Sequence, residues 1–518
     1  MSLRRSNLYY GSVRPSISWD TSSKPSKLAI SVGIAIALAV IGVFVWLWGA
    51  QFGHFIWSLV RISPIVTVLF LATIAGVVVV FTTNKQGIFR TAVITSIACF
   101  VGSIVMMTFS GYLNAKSYYN ASVEVNEVSD STDLDFRKRP AYDVATAVSN
   151  RTLGDTTGDV SGKVKAIPRL GDKGLYSTSV VRRGINKGYE SIQVMDLPLY
   201  GSTSNKNVSF CDYSENAKLR FGGALPGNSL TRAIYWKTSP SVKASKADAV
   251  AVCEDDGPKL YVPLTKRTGF FVSKRVPAGV AIYDGKTGEL SIEDEYKGEL
   301  PLYPSSVAEA QRESAQASGS FPDYLMKRAG FEDTSKDEED PNGENRAEFG
   351  LSSRDGKNSY LVTPLTSRGS TSSLIALGLV DSDHLKNGEL NEYTVNRFPK
   401  GESRQANSST AAKIMGEELG GYKAQGLTVF EIVPEENGDW TASIGKNQSI
   451  LYRANITPEG DVTLYDSSGD KLSGNDDEDE DSPDMKTDKP LDQMSNKELK
   501  ELGDKILDEL ADRADNDE

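Results

Sequence analysis

The chain has 518 residues, more than a single hydrophobic core usually serves, and its net charge lies in one segment. Residues 470–518 hold 19 acidic and 7 basic residues, a net of −12 that equals the charge of the whole chain, so residues 1–469 are neutral. No cluster of Lys or Arg offers the basic surface that nucleic acid requires, which excludes nucleic acid as a partner. The two histidines, His54 and His384, are too few for His-rich zinc sites and leave a Ser-His-Asp triad dependent on His384 alone.

Three apolar segments predict three transmembrane helices, at residues 28–50, 55–81 and 88–113, after a basic N-terminus at residues 1–27. The first segment is free of charged residues and is long enough to cross a hydrocarbon core of ~30 Å. A short polar connection between the second and third segments predicts an antiparallel hairpin. A cleavable signal peptide is the competing interpretation of the first segment, but two further spans follow it.

The basic residues around these segments predict their orientation. Five of them precede the first segment, the connection after that segment has none, and two flank the connection between the second and third: Arg4, Arg5, Arg14, Lys24, Lys27, Lys85 and Arg90. The positive-inside rule then places the N-terminus in the cytoplasm and everything after residue 113 outside. The sequence therefore predicts a multi-pass plasma-membrane protein with an extracytoplasmic C-terminal domain.

Arg61 places a charge inside the second predicted span. An intramembrane charge is a functional candidate by default, but Arg61 lies near the outer end, where its long side chain can snorkel to the interface. Small residues four apart, such as Ala72 with Gly76 and Ala98 with Gly102, favour close packing of the helices. Besides the lipid bilayer, the expected partners are an envelope protein or further copies of the chain joined through these helices.

Cys211 and Cys253 lie in the soluble part, whereas Cys99 lies in the third span. Two cysteines in an extracytoplasmic domain are expected to form a disulfide, whereas in a reducing cytosol they would be unrelated thiols.

The soluble part predicts an α+β domain dominated by sheet. Residues 114–159 are polar and indicate a stalk or linker, residues 160–331 a β-rich lobe, residues 332–348 an acidic loop, and residues 349–469 an α+β lobe. Strands are predicted at residues 176–181, 191–195, 232–236, 259–264, 269–273, 279–283, 360–363, 374–379, 427–433, 449–454 and 461–465. Helices are predicted at residues 306–317, opened by a Ser306–Glu309 capping box, at 322–329 and at 410–419.

An internal echo favours the two-lobe arrangement. Residues 263–267 (PLTKR) resemble residues 364–368 (PLTSR), and Tyr283-Asp284 resembles Tyr465-Asp466. The sequence therefore leaves open a duplication within the domain.

The acidic tail, residues 470–518, is too charged to bury a core and is predicted to be disordered. Near its end Leu499, Leu502, Ile506 and Leu510 share one face of a predicted amphipathic helix. A helix of that length is marginal by itself, so it is expected either to dock on a partner or on its own domain, or to form transiently.

Three strings could carry chemistry, and the sequence favours a structural interpretation of each. Residues 285–287 (GKT) resemble the end of a phosphate-binding loop without the required glycine, and they indicate a hairpin turn. Residues 466–470 resemble a calcium loop but have Lys471 where glycine is needed. Residues 220–223 (RFGG) indicate a turn with close backbone approach. No cofactor, metal or catalytic residue is predicted.

Several strings form a recognisable set: residues 220–223, 253–257 (CEDDG), 302–304 (LYP) and 363–370 (TPLTSRGS). Together they resemble membrane proteins of actinobacteria and their phages or mobile elements. The resemblance implies a bacterial plasma membrane and transfers no activity and no site residues.

Three functions are carried forward. The leading hypothesis is a membrane-anchored, non-enzymatic interaction protein that presents its outer domain to envelope or surface partners. The alternative is an extracytoplasmic enzyme that uses carboxylates, or a serine without histidine. A transporter or channel subunit would need oligomerisation to build a pathway from three spans.

Overall fold

The computed structural model describes residues 31, 36–43, 45, 53, 55–58, 60–61, 63–127, 134–135, 142–153, 158–160, 164–170, 173–196, 208–225, 227–270, 272–333, 349–353, 357–369, 373–399, 404–405, 426–434, 439–446, 449–457, 459–466 and 469–473. Most of the first predicted span, the predicted helix at residues 410–419, most of the acidic tail and the predicted amphipathic helix with Leu499, Leu502, Ile506 and Leu510 lie outside these residues.

Two helices near the N-terminus are long and apolar enough to cross a membrane. They are α1 (Pro64–Thr82) and the Gln86–Met107 part of α2 (Gln86–Ser122). They form a hairpin in which a Cβ on Gly76 would collide with the Ser96 hydroxyl, as the small-residue spacing predicts for close packing. Of the first predicted span, residues 36–43 are helical.

Helix α2 continues well past the predicted end of its apolar segment. It has 37 residues, of which the apolar part takes 22. The chain then enters strand β1 (Val123–Glu127), which pairs in parallel with β19 (Tyr393–Arg397). Residues 114–127, predicted as part of a stalk or linker, therefore form the end of α2 and strand β1: helical hydrogen bonding does not require apolar residues, and Tyr118 of this polar segment is buried by the domain.

The remaining described helices and strands form a sheet-rich domain, which confirms the α+β prediction. The helices are α3 (Tyr142–Thr152), α4 (Leu230–Lys237), α5 (Ser305–Ser314), continued by a 3₁₀ turn at Ala315–Ala317, and α6 (Phe321–Leu325). The strands are β2 (Leu134–Asp135), β3 (Gly158–Val160), β4 (Lys165–Leu170), β5 (Lys173–Arg182), β6 (Tyr189–Met195), β7 (Val208–Asp212), β8 (Val242–Ala244), β9 (Val250–Glu254), β10 (Gly257–Thr268), β11 (Lys274–Asp284), β12 (Leu290–Glu293), β13 (Glu295–Lys297), β14 (Phe331–Asp333), β15 (Phe349–Ser353), β16 (Ser359–Ser367), β17 (Ser373–Asp381), β18 (His384–Lys386), β20 (Arg404–Gln405), β21 (Thr428–Pro434), β22 (Trp440–Lys446), β23 (Ser449–Ile456), β24 (Val462–Tyr465) and β25 (Lys471–Ser473).

One arrangement, a helix followed by five antiparallel strands, occurs three times. In each repeat the first two strands pair with the C-terminal and N-terminal halves of the third, and the third to fifth strands form a meander. The first repeat is α3-β3-β4-β5-β6-β7, the second is α4-β8-β9-β10-β11-β12, and the third is α5-β14-β15-β16-β17-β19, with α6 and β18 as additions.

One pair of echoed strings, residues 263–267 and 364–368, occupies matching places in the second and third repeats, whereas Tyr465-Asp466 lies at the end of β24, outside them. Leu264 pairs with β8 and Leu365 pairs with β14, and a β-bulge lies beside each leucine. The third repeat starts at α5, so its helix lies in the predicted first lobe and its sheet in the second. Contacts therefore cross the predicted boundary at residue 331, and β14 forms a strand there.

Each repeat helix packs its apolar side on its own sheet. Ala145 and Val148 of α3 contact Tyr176 and Met195, and Leu230 and Ile234 of α4 lie in a cluster with β10 to β12. Val307 and Ala308 of α5 pack on the sheet of the third repeat. The last sheet, β21 to β25, shares a separate core with that sheet around the fully buried Trp440.

Three local predictions need correction. Residues 232–236, predicted as a strand, belong to α4, because Ser229 accepts the Arg232 N–H as an N-cap and Ile234 is buried one turn after Leu230. Of residues 269–273, predicted as a strand, the described residues 269, 270, 272 and 273 lie in the β10–β11 turn, and Gly269 has a φ of 93°. The predicted Ser306–Glu309 capping box is wrong, because the Asp248 carboxylate accepts the Ser305 N–H at 3.2 Å instead.

Two of the strings with possible chemistry, residues 285–287 and 220–223, are turns, as predicted. The Asp284 carboxylate accepts the N–H groups of Lys286 and Thr287 between β11 and β12. Burial opposes ionisation of Asp284, but these hydrogen bonds outweigh it and lower the pKa of the carboxyl. In the residue 220–223 string, Gly223 lies so close to the Asn228 carbonyl that any Cβ would collide with it.

Candidate functional site at the junction of the helices and the sheet domain

The Lys116 ammonium holds the end of the α5 helix against α2. Its Nζ lies 3.0 Å from the Ala317 and Ser318 carbonyl oxygens and 3.3 Å from that of Gly319. These are carbonyls at a helical C-terminus, where backbone acceptors lack helical partners and the helix dipole favours a cation. One charged side chain therefore donates to three carbonyls, of which that of Gly319 also accepts the Tyr112 hydroxyl at 3.2 Å, and ties the domain to the helix.

An aromatic cluster lies beside this ammonium. The rings of Phe109 and Phe321 stack with centroids 4.2 Å apart, and Tyr112 contacts both Phe321 and Tyr324 at 5.3 Å. The Arg368 guanidinium lies over the Tyr324 ring at 4.3 Å, on the side of the third repeat. Aromatic stacking and a cation–π contact thus link α2 through α6 to β16.

A second contact forms at the β10–β11 turn. The Arg61 guanidinium donates to the Gly269 carbonyl at 3.1 Å, and the Ser273 hydroxyl donates to the Arg61 carbonyl. Arg61 also lies over the Trp57 ring at 4.8 Å. Arg61 therefore has protein partners in the domain, which the snorkelling interpretation did not include.

Helix α2 contacts the same turn from its other side. The Asn114 side-chain oxygen accepts the Ser273 N–H at 3.1 Å, and the Tyr118 hydroxyl donates to the Arg275 carbonyl at 2.7 Å. Tyr118 is only 5% exposed, and this burial raises the pKa of its hydroxyl, which therefore stays protonated and remains a donor. The turn is held between the residues that precede α1 and the extension of α2.

Sequence reasoning missed this junction, although a signal was present. Tyr112 and Lys116 are four residues apart, as are Asn114 and Tyr118, and each pair therefore lies on one face of a continued helix. The first pair contacts α6 and the end of α5, whereas the second contacts the β10–β11 turn. A helical period in the predicted stalk would have indicated two docking faces.

Replacing Lys116 with methionine tests the junction. We expect the variant to lose about 2–3 kcal/mol of docking free energy, because three charge-assisted hydrogen bonds disappear and only the Gly319 carbonyl keeps a second donor, the Tyr112 hydroxyl. The measurement is amide hydrogen exchange, which should become faster at residues 315–325. Lys85→Met, at the exposed other end of the same helix, is the matched control, and equal exchange in the two variants would contradict the assignment.

The cysteines predicted to pair lie at disulfide distance. Cys211 of β7 and Cys253 of β9 have an S–S distance of 1.94 Å and Cα atoms 6.0 Å apart. Their bond connects the sheets of the first and second repeats. Beside it Tyr213 and Tyr283 are buried, and burial raises the pKa of both hydroxyls, that of Tyr283 to about 12.

Two carboxylates converge at the start of the sheet domain. A hydrogen bond with Glu392 raises the pKa of Glu124, but both side chains are exposed. His384 of β18 lies 3.4 Å from Glu295 across the β13–β18 pair, on the surface. Among the described residues no group of His, Cys, Asp or Glu is arranged to hold a metal ion.

Comparisons with protein-family models, with curated proteins and with solved structures each found no match to this chain.

Proposed function

We propose that the chain is an integral membrane protein that holds an extracytoplasmic interaction domain directly against the membrane in a fixed orientation. The observation that carries this proposal is the pair of docking contacts, Lys116 on the α5 carbonyls and Arg61 on the β10–β11 turn. A flexible tether would leave the domain free to rotate, whereas two contacts on different loops fix its orientation. The domain would then present one defined surface to envelope or surface partners.

The cysteine pair supports an outside location. Disulfides persist in oxidising compartments and are rare in the cytosol. The uneven distribution of Lys and Arg around the apolar segments predicts the same topology. These two arguments are independent, because one concerns the domain and the other the membrane flanks.

A cysteine-accessibility assay on intact cells tests the topology. In a Cys99→Ser background, a membrane-impermeant thiol reagent should label the chain only after external reductant has opened the Cys211–Cys253 bond. Labelling that requires cell lysis would contradict the outward topology.

A matched cysteine on the opposite side completes that assay. Asn84, exposed in the connection between α1 and α2, is predicted to be cytoplasmic. Asn84→Cys should therefore remain unlabelled in intact cells and become labelled after lysis. Labelling of Asn84→Cys from outside would invert the proposed orientation.

The interaction role is tested by crosslinking intact cells and recovering the full chain. We expect the same envelope component to be recovered repeatedly, and its yield to fall in the Lys116→Met variant, because that domain is no longer held in one orientation. Repeated recovery of the chain without any partner would count against an interaction role.

A further inference from the structure

We infer that Leu325, Met326 and Phe270 form a lipid-facing rim that inserts into the headgroup region of the bilayer crossed by α1 and α2. The rim belongs to two separate parts of the domain, the end of α6 and the β10–β11 turn. This inference rests on the proposed function, because it requires the two apolar helices to cross a bilayer. It goes further by assigning a lipid-binding surface to the sheet domain itself.

The position of α6 along α2 fixes its depth. The candidate span within α2 runs to Met107, which we take as the hydrocarbon edge, and Phe109, which stacks on Phe321, lies only two residues further. At 1.5 Å per residue this is ~3 Å beyond the hydrocarbon edge. The headgroup region extends roughly 5–8 Å on each side of the core, so α6 lies within it.

The β10–β11 turn lies beside the start of α1. Arg61, whose guanidinium contacts Gly269, precedes the first residue of α1 by one turn. From Ser273 to Arg275, strand β11 then follows α2 from Asn114 to Tyr118, away from the apolar part of that helix. The hairpin therefore points away from the membrane, and its turn is the end that meets the lipid.

The side chains at these two places are apolar and exposed. Leu325 is 65% exposed, Met326 is 57% exposed and Phe270 is 52% exposed. Apolar side chains on neighbouring loops at headgroup depth gain free energy by entering the interface instead of contacting water. Trp57, whose ring lies under the Arg61 guanidinium, adds the amphipathic aromatic type typical of membrane interfaces.

The charged side chains beside the rim also favour a lipid bilayer as the surface that it contacts. Lys327 and Arg328 follow Leu325 and Met326 directly and are exposed, whereas the nearby Asp323 carboxylate is engaged in the capping box with Ser320. Lys327 has a φ of 54°, a conformation in which glycine is usual at a helix end. A basic side chain at a position that favours glycine is explained by attraction to anionic headgroups.

The test uses the full chain reconstituted in vesicles of zwitterionic and anionic phospholipid with a spin-labelled headgroup. In a Cys99→Ser background without reductant, Leu325→Cys or Met326→Cys carries a small fluorophore. We expect its fluorescence to be quenched several-fold more strongly than that of the same fluorophore on Lys286→Cys. Lys286 is exposed in the β11–β12 turn, at the far end of the hairpin, roughly 30 Å from the rim along the strand.

Equal quenching at Leu325, Met326 and Lys286 in chains that float with the vesicles would overturn the rim while leaving the membrane anchor intact. Chains that do not float with vesicles would instead overturn the proposed function. The Lys327→Gly variant separates charge from apolar contact. It relieves the backbone conformation, and it should weaken quenching at Leu325 in anionic vesicles more than in purely zwitterionic ones.

Discussion

Removal of the Cys211–Cys253 bond should lower the free energy of unfolding of the sheet domain by about 4 kcal/mol, given the 42-residue separation of the cysteines. The reason is that the bond restricts the unfolded chain, and its loss returns the entropy of an open loop. A Cys211→Ala, Cys253→Ala double variant keeps small apolar side chains at both positions. The measurement is the denaturation midpoint of the β-sheet circular dichroism signal in detergent.

Cys99→Ser is the matched control, since this third cysteine lies in α2 and should leave the midpoint of the sheet signal unchanged. Reduction of the natural chain should reproduce the midpoint of the double variant. A double variant as stable as the natural chain would show that the cross-link does not contribute to holding the first and second repeats together.

The second large effect is expected at the buried ion pair between α5 and β14. The Arg312 Nε lies 3.1 Å from the Asp333 carboxylate, with the two side chains 13% and 8% exposed. Asp333→Ala should cost roughly 3–5 kcal/mol, because it leaves a guanidinium in a poorly solvated place without this carboxylate. Thermal unfolding of the full chain measures the loss.

Two comparisons sharpen this prediction. An Arg312→Met, Asp333→Leu double variant should recover most of the stability, because no charge then remains buried at the pair. Asp256→Ala, which breaks an ion pair with Lys259 whose acidic partner is 61% exposed, should cost no more than ~1 kcal/mol. A small effect of Asp333→Ala would indicate that water reaches the α5–β14 contact.

The sheets were largely predictable, because alternating β-branched and aromatic residues indicate a half-buried strand whatever its partner. This holds for β5, β10 and β16, whose predicted positions fall inside the observed strands. It fails for α4, where Ile234, Tyr235 and Trp236 favour a strand but the helix forms because Leu230 and Ile234 share one buried face. Local propensity was overridden there by packing.

The junction could not be predicted from the same signals. A strand was predicted at residues 269–273, yet Gly269 and Ser273 lie in a turn, and their contacts are with Arg61 and Asn114. The pattern of apolar residues in a single sequence predicts which residues are buried, but it does not predict which residues they contact. The capping of α5 by Asp248 was missed for the same reason: the acceptor comes from another part of the chain.

The parallel pairing of β1 with β19 sets an order for folding. Each repeat closes through pairings between strands near one another in sequence, so in the proposed outward topology we expect it to fold soon after it leaves the membrane. Strand β1 comes first in the chain, directly after α2, but its pairing partner β19 is the last strand of the third repeat. Strand β1 therefore has no β19 to pair with until that repeat has been made. During that interval its edge is unpaired, and Glu124 and Glu127 provide charges that discourage pairing with other chains. A chain truncated before β19 would therefore keep a permanently open edge next to the membrane, and we expect such fragments to aggregate there.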